Sequence, residues 1–176
     1  MDRNMTKEEL ESTVTDFMDG LTTMALACSL DDEPWTSPVY YARQGYNLIF
    51  FSSKLSRHSL AFRENPKAAA SIYRDYGSWK EIRGLQMNGR VDGVDSALAL
   101  AKATATYLKR YPFVRDILSG STGMASEISK KMTRVGLYVF QPSDIYYLDN
   151  SVGFGVRWKL AITHGVAAGY PERVNG

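Results

Sequence analysis

The chain has 176 residues and a formal net charge of +2, with 44% apolar and 23% charged residues, the balance of one soluble domain with a sizeable core. So small a charge gives no argument for nucleic-acid binding, and no stretch approaches the length of a membrane-spanning helix. A single cysteine, Cys28, excludes an intramolecular disulfide framework, and two distant histidines, His58 and His164, give no metal-ligand spacing. The first residues, Met1-Asp2-Arg3-Asn4, lack the apolar core of a secretory signal, so the expected location is the cytoplasm.

Residues 6–19 read as a helix. Thr6 and Glu9 form a capping box, Leu10, Val14, Phe17 and Met18 recur on one face, and Gly20 ends it. Strands follow at close intervals: 22–30, an acidic turn at Asp31-Asp32-Glu33-Pro34, 36–43, a turn at Gln44-Gly45, then 47–52. Two short connections in succession indicate an antiparallel meander. Cys28 is in phase with Met24, Leu26 and Leu30, which makes it a buried structural thiol.

A short helix ends near Asn65-Pro66, and a fourth strand covers 68–74. The fifth runs from about 80 to 94, since the alternation of Leu85, Met87 and Val91 continues in phase across Asn88-Gly89. Asp95 or Ser96 caps a helix to Arg110, stopped by Pro112, and shorter helices are expected over 113–118 and 126–133. A last strand over 135–140 bends at Gln141-Pro142 and resumes over 144–148. The tail, 161–176, shows no periodicity and is expected to be mobile or packed on a partner. The whole reads as a single domain, mainly β with helices, whose strands close into a small antiparallel barrel.

The most informative stretch is Ser52-Ser53-Lys54-Leu55-Ser56-Arg57-His58, between the third strand and the short helix. Lys54, Arg57 and His58 stand where the helix macrodipole is already positive. Two readings answer this. A bound phosphate, held by serine hydroxyls, free backbone N–H groups and basic side chains, is one; a serine-capped helix with solvated cations is the other.

The ordered set Ser37-Pro38-Val39-Tyr40-Tyr41, Leu48-Ile49-Phe50-Phe51-Ser52-Ser53, Ser56-Arg57-His58, Asn65-Pro66, Ala68-Ala69-Ala70 and Ile82-Arg83-Gly84-Leu85-Gln86 resembles the FMN-binding split barrels of the pyridoxamine 5'-phosphate oxidase-like superfamily. The likeness spans about 22–148. The ending Leu148-Asp149-Asn150-Ser151 with Gly153-Phe154-Gly155 is similar to a small bacterial group of unassigned activity within it. The resemblance implies a six-stranded antiparallel barrel and a homodimer with FMN at the subunit interface, to which the tail, 149–176, contributes. It implies that Ser52, Ser53, Lys54, Arg57 and His58 hold the flavin phosphate. Pro38, Val39 and Tyr40 would lie along the isoalloxazine, Gln86 would touch the ring or ribityl chain, and Trp158 would reach the partner's flavin.

Plainer readings stand beside these. Val39 and Tyr40 are core strand residues with or without flavin, Gln86 faces solvent, and Trp158 packs the tail down. The implied activity is that of an FMN-dependent oxidoreductase or flavin reductase acting on a small molecule. The chain ends Tyr170-Pro171-Glu172-Arg173-Val174-Asn175-Gly176, without the Arg-Leu-Ser/Ala-Pro ending of true pyridoxamine 5'-phosphate oxidases, which argues against vitamin B6 oxidation. A non-catalytic flavin or haem module and a deazaflavin-dependent reductase are the alternatives.

Overall fold

The computed structural model describes residues 4–119 and 134–175. It begins with helix α1 (Lys7–Asp19), whose first turn is closed reciprocally: Thr6 Oγ1 accepts from the Glu9 N–H at 3.2 Å and Glu9 Oε2 accepts from the Thr6 N–H at 2.9 Å. Leu10, Val14 and Met18, one turn apart, are fully buried and fix α1 on the barrel.

Strands β1 (Thr23–Leu30) and β2 (Glu33–Tyr40) form a hairpin closed by Asp31 and Asp32. Both residues have positive φ, 51° and 61°, as the favoured two-residue turn requires. The strand expected over 36–43 turns out to be bent. Up to Tyr40 it pairs with β1; past Tyr41 its continuation, β3 (Ala42–Gln44), pairs with β4 (Asn47–Ser53). The bend is anchored from both sides: the Tyr41 hydroxyl donates to the Met18 carbonyl at 2.6 Å, and the Tyr111 hydroxyl donates to the Tyr41 carbonyl at 2.6 Å.

That bend closes the barrel. Strand β1 also pairs with β5 (Lys67–Tyr73), β5 with β6 (Arg83–Gly93), β6 with β7 (Val135–Asp149), and β7 with β4, all antiparallel. Counting β2 and β3 as one bent strand gives the expected six. The protein is a mostly β, antiparallel split barrel. Strands β5 to β7 bear out the unbroken fifth strand, and Gln141-Pro142 stays within β7, where Pro142 faces Gly89. The register shifts at Asn88/Gly89, leaving Ser143 as the extra residue of a bulge.

One feature differs from expectation. The tail forms a hairpin, β8 (Val156–Thr163) and β9 (Val166–Asn175), and β8 extends the sheet from the last residues of β7. Val156, Trp158, Leu160 and Ile162 alternate inward, a period-two signal; β9 hid its strand character behind Gly169 and Pro171, as an edge strand can. Helices α3 (Ala97–Arg110), capped by Ser96, and α4 (Pro112–Ser119) follow β6; the helix expected over 126–133 lies outside the described residues.

The main core fills the barrel, with Leu26, Phe50, Ile72, Leu85, Phe140 and Ile145 almost wholly buried. A second core, with Ala42, Ile49, Ala103, Tyr107 and Leu137, joins α3 to the outside of β3, β4 and β7. Beyond the bend, β2 and β4 are not paired with each other. Helix α2 (Arg57–Glu64) packs there against β1 and β2 and buries His58, Ser59, Ala61 and Phe62.

Candidate functional site: the helix start in the barrel split

Alternation on β2 and β4 turns Ser37 and Ser52 toward the same side as Val39, Leu48 and Phe50, where α2 begins. His58, in the first turn of α2, bridges them. Its Nδ1 lies 3.0 Å from Ser37 Oγ and its Nε2 lies 2.6 Å from Ser52 Oγ. Trp35 Nε1–H donates to Ser37 Oγ at 2.9 Å, and Ser52 Oγ lies 3.2 Å from Ser56 Oγ, which donates to Ser59 Oγ at 2.9 Å.

The chain of bonds has a direction. Ser56 spends its hydrogen on Ser59, so in the contact between them Ser52 donates to Ser56 and accepts from His58 Nε2–H, which leaves Nδ1 to accept from Ser37. Ser52 keeps its hydroxyl hydrogen for Ser56 or for a ligand. Burial holds the imidazole below its ordinary pKa, as desolvation of a cation must. His58 is therefore a neutral bridge across the split.

The helix end itself is unfinished electrostatically. Ser56 caps it by accepting from the Ser59 N–H at 3.3 Å, and its first turn contains no acidic residue. The N–H groups of Arg57 and His58 have no intrahelical partner by geometry. The Arg57 guanidinium lies over the Trp35 ring at 4.6 Å and 3.8 Å from Glu33 Oε2, half-exposed. Ser53 is exposed, its Oγ accepting from the Leu55 N–H at 3.2 Å.

The structure thus brings Ser52, Ser53, Arg57 and His58 to one helix start but divides the cations. Arg57 lines a cavity of about 220 Å³ with Cys28, Glu33 and Trp35. Lys54 lines another, of about 520 Å³, with Arg63, Asp92 and Asp95. His58 faces serines on both ring nitrogens. Cys28 is buried, as expected, and burial pushes its thiol pKa up while Arg57 opposes the rise.

Pro38 and Tyr40 face outward on β2, and Val39 points into the core. Gln86 is also outward, and it shares a row with Pro38: Pro38–Ala25–Ser71–Gln86–Tyr146 are successive register partners across five strands. Three strand spacings separate Pro38 from Gln86, about 14 Å. Gln86 opens onto a cavity of about 350 Å³ with Tyr73, Arg74, Tyr76 and Ile82. Trp158 is placed elsewhere: it is 2% exposed and stacks on Tyr147 at 6.0 Å within the core of its own chain. Sequence reasoning did not single out Trp35 and Ser37; the inward phase of Ser37 with Val39 was the available signal.

The profile of the pyridoxamine 5'-phosphate oxidase family matches residues 10–149. The chain belongs to that family. Among curated relatives, a UPF0306 protein of Klebsiella pneumoniae is 25% identical over 135 residues, covering 74% of this chain and 80% of the relative; one from Pasteurella multocida is 27% identical over 100 residues, covering 56% and 66%. Among solved structures, a heme binding protein from Mycobacterium smegmatis superposes with a TM-score of 0.66 at 14% identity, covering 92% of this chain and 60% of that one. A FAD-binding protein from Mesorhizobium loti gives 0.56 at 16% identity, covering 76% and 88%. These likenesses carry the fold. Among the described residues, no helix is long and apolar enough to cross a membrane.

Proposed function

We propose that the protein is an FMN-binding oxidoreductase that works as a homodimer on a small molecule. One observation carries the reading: the start of α2, set in the barrel split, has an arginine, two serine hydroxyls and no carboxylate in its first turn. A phosphate monoester supplies what that end lacks, a dianion with several acceptors. Ser52, Ser53, the first N–H groups of α2 and Arg57 would hold it, with Arg57 leaving Glu33 to do so. His58 would act through Ser52, keeping that hydroxyl aimed outward. Lys54 would contribute at longer range.

Family membership supports flavin as the bearer of the phosphate. The isoalloxazine would supply the electron transfer, and the protein would position it and shape the field around it. Pro38 and Tyr40 present the outward sheet face to the ring. Gln86 lies about three strand spacings away in the same chain, which suits a site shared between two subunits, one giving β2 and the other β6. A second copy would cover the small-residue row Ala25, Ser71 and Pro38. Trp158, enclosed in its own core, is left out of the site.

Haem is the weaker reading, because both nitrogens of His58 are engaged by serines. A visible spectrum of purified protein, followed by FMN titration in flavin fluorescence, tests the proposal. Saturable binding with a flavin spectrum that NADH or NADPH bleaches anaerobically is expected. No measurable FMN binding overturns it, tighter deazaflavin binding replaces the cofactor, and bound FMN that resists reduction removes the oxidoreductase assignment.

A further inference from the structure

We propose that a second cavity, where the β8–β9 turn, the β6–β7 bulge and the start of β4 meet, binds the phosphate group of a small molecule. It measures about 540 Å³ and is lined by Asn47, Lys67, Arg90, Gln141 and His164 among others, and no lining side chain is a carboxylate. It is distinct from the start of α2: Asn47 and Ser53 are the two ends of β4, six residues or about 20 Å apart along the strand.

Three independent features converge on it. Lys67 and Arg90 are direct cross-strand partners, and like charges so placed repel. Asp92 answers Arg90, at 2.6 Å, and also accepts from Gln141 at 3.1 Å. Asp144 is engaged by Asn88 and, at 3.0 Å, by Lys159. Among the described residues, Lys67 and His164 have no side-chain hydrogen bond or ion pair, so two donors beside the cavity are unspent.

The bulge gives the cavity its floor. A Cβ at Gly89 would sit 2.2 Å from the Gln141 carbonyl oxygen, so the backbones approach there as only glycine permits. The turn forms the third side. His164 has φ 51° and Gly165 φ 75°, and together they link Thr163 to Val166 in a two-residue loop. A histidine held in the left-handed region projects its ring from a fixed backbone. Phosphate oxygens would accept from Lys67, from His164 and from the Asn47 amide, and would relieve the Lys67–Arg90 repulsion. The cavity is larger than one phosphate, with Pro142 and Ile162 as apolar wall, so the ligand has an organic body.

The proposal does not depend on flavin binding, and its test is read without FMN. The ¹H–¹⁵N spectrum of the protein is titrated with inorganic phosphate and with glycerol 3-phosphate. Saturable shifts at Lys67, Arg90, His164 and Gly165 are expected, with glycerol 3-phosphate binding more tightly. The double variant Lys67→Gln, His164→Asn retains the turn, since asparagine tolerates positive φ; it should melt at an unchanged temperature and bind about tenfold or more weakly, as loss of charge-assisted bonds predicts. Shifts that do not saturate, or that persist unchanged in the double variant, overturn the proposal. Shifts confined to residues 52–59 overturn it while supporting the flavin reading, and tighter binding of a short single-stranded RNA assigns the cavity to nucleic acid instead.

Discussion

Helices α1 and α2 begin in opposite ways, and the contrast shows how a helix end becomes a site. At α1 the sequence completes the end locally. Thr6 and Glu9 satisfy each other's backbone N–H groups, and Glu8 and Glu9 set negative charge against the positive pole. At α2 a serine caps one N–H, but the first turn is basic, and its histidine is committed to the neighbouring strands. The first arrangement spends its polar groups on folding. The second leaves an arginine and two hydroxyls beside a positive pole, the arrangement on which the flavin proposal rests.

The bridge should weigh most. His58→Ala removes a buried ring and strands two serine hydroxyls, and should destabilise the fold by about 2–4 kcal/mol, read by urea unfolding; a loss under 1 kcal/mol would make the bridge incidental. Next comes the ligand. Arg57→Ala should weaken FMN by about 1.5–3 kcal/mol and leave the melting temperature in place; unchanged affinity would put the phosphate elsewhere and erase the contrast between the two helix starts.

Proton linkage follows. The folded pKa of His58 is depressed from an ordinary 6.5, so the unfolded chain binds the proton more readily. The neutral bridge stabilises fully above pH 6.5 and loses its contribution as pH falls through the folded value. The slope stays under the one-proton limit of about 1.4 kcal/mol per pH unit. His58→Gln should flatten that part of the stability profile; an unaltered profile would assign the slope to other groups.

The α1 end gives the control. Thr6→Ala should cost about 1 kcal/mol of stability and nothing in FMN affinity. An effect on FMN would mean that the two ends are not independent. The smallest effect belongs to Glu33→Gln, which frees Arg57 from an exposed pair and should tighten FMN by roughly 0.5 kcal/mol, the scale of surface ion pairs. Weaker binding would show that Glu33 holds Arg57 in its working position.

Much of this was legible in the chain. The α1 capping box, an acidic turn beginning at Asp31-Asp32, the unbroken β6 and a cap at Asp95 or Ser96 are local, set by backbone sterics and by hydrogen bonds three or four residues apart, so composition and spacing reveal them. The cluster from Ser52 to His58 was legible as an electrostatic anomaly for the same reason. The partners within it were not. His58 reads as a basic residue in the sequence, and its place as a bridge with a lowered pKa follows only because β2 and β4 enclose it and offer Ser37 and Ser52. Lys54 and Arg57, three residues apart, open onto different cavities because β4 ends between the barrel split and the α3 side.

Trp158 shows the same limit from the tail, where the inward phase of β8 decides between a core side chain and a contact to another subunit. By itself, the sequence determined an antiparallel, mostly β barrel of this family and a basic, serine-capped helix start, because turns, alternation and caps act over a few residues. The tertiary structure alone decided where the barrel closes, which serines meet the imidazole and which cations stand together. Those depend on the bend at Tyr41 and on register between strands far apart in sequence, and a one-residue change of register turns every side chain to the other face.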